Sequence, residues 1–290
     1  MQITNKMNLP EALVQACEVS QHNRPYNLSA TTLLKGVREI LLAKRHWDEM
    51  SEDVSDRIWA LFGTAIHSLL ERETPDTFVE ESFFVPVGEY KITGRLDCYD
   101  MKQGIIHDYK STSVWKIIKG DFEDWRQQGL IYAWLLAKQG LPVRECRFTA
   151  ILKDHSKSKA KFERNYPKTP VYVYSFTVTN RDLAEIEKFI LSKVEQVAEN
   201  VDKSDSELPL CSDHERWARP TTYAVMKAGR KTALRVFDTK EQAEKYIADT
   251  GIGYIEERKG SDGKCPEYCS CCEWCSYYKE HYAKGGSECK

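Results

Sequence analysis

The stretch GRLDCYDMKQGIIHDYKST, residues 94–112, constrains this chain more than any other. Its two short apolar segments read as strands, 89–99 and 103–110, joined by the Asp-Met-Lys-Gln-Gly turn at 100–104, with Gly104 as the residue of positive φ. That hairpin places Asp97 and Asp108 on neighbouring strands near one end of a sheet, and the spacing of two brings Asp108 and Lys110 out on one face. Two carboxylates and an ammonium are costly to bury together, so an ordinary sheet seldom turns them all inward. A divalent cation reconciles them. Hard oxygen ligands from Asp97 and Asp108, with the backbone carbonyl of Tyr109 and waters, suit Mg²⁺ or Mn²⁺ and leave positions for a phosphate oxygen and a water. Lys110 beside them would orient or help deprotonate that water and offset charge on phosphorus, which is phosphodiester hydrolysis.

The surrounding pattern supplies a frame for such a site. Helices are expected at 9–21, 29–47 and about 52–72, and the third carries Gly63, His67 and Glu71 along one face. A strand is expected at 78–87 before the hairpin, and DWRQQGLIYAWLLAKQG after it reads as a helix ended by Gly140, with Gln128 and Tyr132 one turn apart. Strands at 145–152 and 171–179 flank a Lys-rich loop, and a helix follows over 181–201. The composition then changes: residues 1–205 read as the core and 206–290 as a small module with a hairpin around Lys227 to Arg230, a short helix and a cysteine tail.

Four of these patterns, in this order, resemble the RecB-type branch of the PD-(D/E)XK nucleases. They are Gly63-Thr-Ala-Ile-His67, Gly94-Arg-Leu-Asp97, Asp108-Tyr-Lys110 and Gln128-Gly-Leu-Ile-Tyr132. The resemblance covers roughly residues 25–200 and implies a restriction-endonuclease-like α/β core with a mixed central sheet flanked by helices. It further implies that His67 joins Asp97 and Asp108 at the metal, that Lys110 is catalytic, and that Gln128 and Tyr132 support or contact substrate. Leu96 stands where the family name has proline, as in many RecB-type members. Plainer readings exist for each piece. Asp97 and Lys110 could form a surface ion pair contributing at most about 1 kcal/mol, Gln128 and Tyr132 could be helix packing, and Glu71 could be a solvated charge.

The formal charge of −2 excludes a global polycation, so any nucleic-acid surface must be local. The run 153–168 carries six basic residues, among them Lys157, Lys159, Lys161 and Arg164, and reads either as a solvated hairpin tip or as an arm gripping phosphates. Lys227, Arg230, Lys231 and Arg235 invite the same alternatives. The N-terminus lacks the apolar run of a signal peptide and no segment approaches a membrane span, so the expectation is a cytoplasmic protein of a bacterium or phage-infected cell, with no membrane partner.

Five of the ten cysteines fall in the segment 265–275, CPEYCSCCEWC, and clustering of that kind in a reducing compartment points to metal. Cys265, Cys269 and Cys275 resemble the three-cysteine group of iron–sulfur nucleases in the same family, while Cys269, Cys272 and Cys275 offer another set. The fourth ligand is Cys17 by analogy with those relatives or, as favoured here, Cys211 at the mouth of the module. Zn²⁺ and a [4Fe-4S] cluster both fit four thiolates, and either would staple the tail without an open position for chemistry.

Together these readings predict a metal-dependent DNA nuclease, an exonuclease acting on double-stranded ends or single strands in phage replication or recombination. A phage recombinase or single-strand annealing protein is the expected partner. The alternatives are a catalytically idle nuclease fold that binds DNA or protein, and a zinc-ribbon adaptor.

Overall fold

The computed structural model describes residues 1–17, 27–70 and 76–283, which divide into two compact units, Met1–Asp202 and Lys203–Lys290. In the first unit the elements run β1 (Gln2–Thr4), α1 (Glu11–Cys17), β2 (Asn27–Ser29), α2 (Ala30–Leu33), α3 (Val37–Arg45), β3 (Ser51–Asp53) and α4 (Val54–Leu70). There follow β4 (Thr77–Val87), β5 (Tyr90–Asp100), β6 (Ile105–Thr112), α5 (Val114–Lys119), α6 (Glu123–Lys138), β7 (Glu145–Leu152), α7 (Lys157–Phe162), β8 (Val171–Thr177) and α8 (Asn180–Asn200).

The centre is a six-stranded sheet in the order β2-β5-β6-β7-β8, with β4 also paired to β5. β4, β5 and β6 are antiparallel neighbours, β6 and β7 are parallel, and β7 and β8 are antiparallel. The mixed sheet flanked by helices is therefore the one the sequence predicts. Gly104 turns the β5–β6 hairpin at φ +67°, its N–H donating to the Asp100 carbonyl at 2.8 Å. The parallel step from β6 to β7 needs a crossover, and α5 and α6 provide it. Ser113 starts α5 by accepting the Trp115 N–H, and Gly120 ends it in the left-handed conformation.

The core lies where α6 presses on the sheet. Ile131, Leu135 and Leu136 of α6 are fully buried with Ile92, Leu96 and Phe148 from the strands, each worth roughly 1.5–3 kcal/mol of apolar burial. Two glycines allow the close approach. A Cβ on Gly94 would lie 2.6 Å from Leu135 Cδ1 and 2.9 Å from the Tyr132 ring, and one on Gly129 would lie 3.1 Å from the Phe148 ring. Thus Gly94, the first residue of the Gly94-Arg-Leu-Asp97 motif, has a packing reason of its own. On the outer side α8 is fixed by a capping box between Thr179 and Asp182, and Asp182 also accepts Arg126 of α6 at 2.5 Å.

Two expectations are corrected. The helix predicted over 29–47 is broken: Ser29 caps the short α2, and Gly36, in extended conformation, restarts the chain as α3. Glycine inside a helix costs about 1 kcal/mol relative to alanine, and here the break is taken instead. The Lys-rich loop contains a helical turn, α7, whose start Ser156 caps. The C-terminal ends of the helices predicted over 9–21 and 52–72, with Glu71, lie outside the described residues.

The second unit contains α9 (Asp213–Arg216), β9 (Ala218–Arg219), β10 (Thr222–Met226), β11 (Arg235–Phe237), α10 (Lys240–Thr250), β12 (Tyr254–Arg258) and β13 (Ser261–Asp262), then a 3₁₀ turn at Cys272–Trp274 and α11 (Ser276–His281). The expected hairpin is β10–β11, and the charged strand β12 completes an antiparallel sheet on its other side. Arg216 ties the start of this unit to its end. Its Nη1 donates to both oxygens of buried Asp262 at 2.9 and 3.0 Å and lies 2.5 Å from the Tyr277 hydroxyl. The same guanidinium donates through Nε to the Cys211 carbonyl at 3.0 Å, so Cys211 is held by the network that anchors the cysteine tail.

Candidate active site

Helix α4 lies alongside β6 and delivers His67 to the sheet. Its Nε2 is 2.9 Å from the Tyr109 carbonyl, while Nδ1 faces Asp97 Oδ1 at 3.3 Å and Glu80 Oε1 at 3.7 Å. Asp97 is oriented by its other oxygen, which accepts the Tyr109 N–H at 2.6 Å. Ligand atoms of His67, Glu80 and Asp97 all lie within 4.8 Å of one another, a spacing that a single cation can span. Asp97 draws a proton onto His67 and raises its pKa to about 8 against the opposing effect of burial. The imidazolium thus acts as the positive charge that the two carboxylates require when no metal is bound.

Glu80 was not foreseen from the sequence. It stands opposite Asp97 in the β4–β5 pairing, at a position where the ladder is interrupted, and its φ is +51°. Such a conformation costs a residue with a Cβ about 1–2 kcal/mol. Arg95 holds one carboxylate oxygen at 2.6 Å, leaving the other toward His67. The signal available in the sequence was the consecutive pair Glu80 and Glu81, since alternation in a strand forces one of two adjacent carboxylates toward the covered side.

Beside this group, Asp108 is almost fully buried and Lys110 Nζ lies 2.7 Å from its Oδ2. The contact is an ion pair off the angle of a hydrogen bond, and Oδ2 has no hydrogen-bond donor among the described residues. Burial raises the Asp108 pKa, and the Lys110 ammonium only partly opposes that rise. The same Nζ donates to Gln128 Oε1 at 3.0 Å and lies 5.7 Å from the centre of the Phe148 ring. Gln128 Nε2 in turn donates to the Tyr132 hydroxyl at 2.8 Å, which fixes which end of the amide faces Lys110. A buried Asp108 oxygen met by the Lys110 ammonium without a hydrogen bond, a histidine caught between two carboxylates and a donor set made mostly of carboxylate oxygens fit a Mg²⁺ or Mn²⁺ ion.

The sequence-predicted residues therefore converge, in two linked groups. His67 and Asp97 join Glu80, while Asp108 joins Lys110, Gln128 and Tyr132. The Tyr109 carbonyl, expected as a ligand, is engaged by His67. The basic residues Lys157, Lys159, Lys161 and Arg164 are exposed on and just after α7. In the second unit the Cys265 thiol is pushed up to about 12 by burial and by Asp262, and Cys269, Cys211 and Cys275 add to that rise, which puts all four sulfurs within electrostatic reach. Cys17 is buried in the first unit.

No family model matches the chain, and no curated protein matches it. Among solved structures, an alkaline exonuclease from Laribacter hongkongensis is 11% identical with a TM-score of 0.39, over 61% of this chain and 90% of the other. The same enzyme in complex with dAMP gives 11% and 0.38, over 60% and 89%. A phage related exonuclease from Haemophilus somnus 129PT is 12% identical with a TM-score of 0.29, over 58% and 75%. At these values the likenesses define neither a family nor an activity. Among the described residues no helix is long and apolar enough to cross a membrane.

Proposed function

We propose that the chain is a divalent-metal-dependent deoxyribonuclease that hydrolyses phosphodiester bonds. The observation that carries this reading is the buried Asp108 carboxylate, with an oxygen lacking a donor, paired to Lys110 beside the His67–Glu80–Asp97 group. A Mg²⁺ or Mn²⁺ held by His67, Asp97, Asp108 and Glu80 would supply Lewis-acid polarisation and a water of lowered pKa. Lys110 has three donor protons; Gln128 Oε1 takes one, and the ammonium pairs electrostatically with Asp108, so a donor is available for a water or a phosphate oxygen. The Gln128–Tyr132 pair keeps that ammonium from swinging away, and its Nζ lies 5.7 Å from the centre of the Phe148 ring. Exposed lysines of α7 offer sequence-independent attraction to phosphates, in keeping with DNA as substrate.

The finer reading is an exonuclease acting on linear ends in phage replication or recombination, in the cytoplasm and with a recombinase or annealing protein as partner. Cys211, Cys265, Cys269 and Cys275 are proposed to hold Zn²⁺ or a [4Fe-4S] cluster, a closed site that braces the second unit. The test is digestion of end-labelled linear duplex beside closed circular DNA in Mn²⁺, Mg²⁺ and EDTA. The expected result is divalent-dependent loss of the linear form alone, slowed roughly 10²- to 10³-fold in Lys110→Ala. Folded, metal-replete protein that cuts neither form would overturn the assignment.

A further inference from the structure

The His67 face of α4 carries a second feature two turns toward the helix start. Trp59, Gly63 and His67 recur every four residues and so lie in one row. A Cβ on Gly63 would lie 3.4 Å from Ser111 Oγ, so the row follows β6 outward past Lys110. β6 ends at Thr112, whose carbonyl accepts the Lys153 N–H at 3.0 Å, and Lys153 returns over the helix to place Nζ 4.2 Å from the centre of the Trp59 ring. Trp59 is nonetheless 58% exposed and Phe62 is 40% exposed. Phe62 meets the indole edge-on, with ring centres 6.3 Å apart and planes at 84°, which steadies the indole without covering both of its faces.

An indole left in solvent beside an active site is unusual for core packing and apt for stacking. We infer that Trp59, braced by Phe62 and accompanied by Lys153, is a stacking platform for an unpaired base of the DNA strand entering the site. The inference rests on the proposed function and adds a subsite to it. Bases present π-faces to aromatic side chains without regard to sequence, and a neighbouring cation serves both the ring and the adjoining phosphate. Eight residues of helix separate Trp59 from His67, about 12 Å at 1.5 Å per residue. That span matches three or four bases at about 3.4 Å each. A base paired within a duplex has no free face to offer at that point, so the strand must be open there.

The test uses the full-length protein and single-stranded oligonucleotides carrying 2-aminopurine at successive positions from one end, titrated in EDTA so that no cleavage intervenes. The expected result is fluorescence quenching confined to positions a few bases from the end, abolished in Trp59→Ala with binding weakened about tenfold. Trp59→Phe, which keeps an aromatic face, should retain part of the quenching. Undiminished quenching in Trp59→Ala, or an oligonucleotide that binds with no quenched position, would sink the platform. A strand that stacks on Trp59 but is not cut in Mn²⁺ would instead overturn the nuclease reading and leave the platform standing. Cleavage without stacking would do the reverse.

Discussion

Glu80 sits in a backbone conformation that a strand residue ordinarily avoids, in a ladder otherwise paired on both sides of it. The cost is of order 1–2 kcal/mol. What it achieves is a carboxylate within reach of His67 and Asp97, with Arg95 holding the second oxygen. If Glu80 is a metal ligand, its replacement by glutamine should weaken Mn²⁺ binding by at least tenfold, measured by titration of the protein without DNA. Even hydrogen-bonding partners of ligands are worth about 10- to 100-fold in metal affinity, so a direct ligand cannot be worth less. Unchanged Mn²⁺ affinity in Glu80→Gln would return the residue to a structural partner of Arg95.

At the level of elements, the site depends on α4, and α4 depends on Asp53. This carboxylate, placed immediately before the helix, accepts the Lys6 N–H at 2.8 Å and the Ser55 N–H and hydroxyl at 3.1 and 2.7 Å, with the Thr4 hydroxyl at 2.9 Å. These donors, Lys6 foremost, hold its pKa well below the usual carboxylate range. In the unfolded chain the group titrates near its ordinary value of about 3.9. A depressed folded pKa means that its stabilisation is complete above pH 4 and fades as pH falls toward the folded value. Asp53→Asn should therefore melt below the wild type at pH 7, with the gap in Tm narrowing as pH falls below about 4 and continuing to close toward the folded value. A gap independent of pH would remove the carboxylate charge from the anchoring of α4. The elements themselves were largely legible. Apolar alternation marked β5, β6 and β7, and Gly104 marked the turn, because those signals are local. The break at Gly36 and the interrupted pairing at Glu80 were not, because each is set by what the neighbouring element requires. The exposure of Trp59 is not legible in the sequence for a related reason: a tryptophan in a helix is ordinarily core, and only the fold leaves this one in solvent.

For the whole molecule, the two units stand on different foundations. The first has a continuous apolar core between its sheet and α6. The second buries few large apolar side chains among its described residues, Val225, Met226, Leu208 and Tyr278 being the main ones, and relies on the Arg216–Asp262–Tyr277 network. Units with so few large buried side chains gain much from a metal or a covalent link. The Cys265 thiol, its proton held by burial, by Asp262 and by Cys269, Cys211 and Cys275, is one that a metal would have to deprotonate, and the four sulfurs that act on one another there make a four-thiolate ligand set. Structural zinc sites bind with about 10–16 kcal/mol, enough to brace a unit with so small an apolar core. Protein purified anaerobically should thus carry either zinc or iron with sulfide, the latter visible as an absorption band, and Cys265→Ser should lose it. Limited proteolysis of that variant should degrade the segment beyond residue 203 first and spare the core that holds Lys110. A metal content equal to wild type in Cys265→Ser, or metal-free wild-type protein whose second unit resists protease, would mean that the tail is held without a metal on these four cysteines.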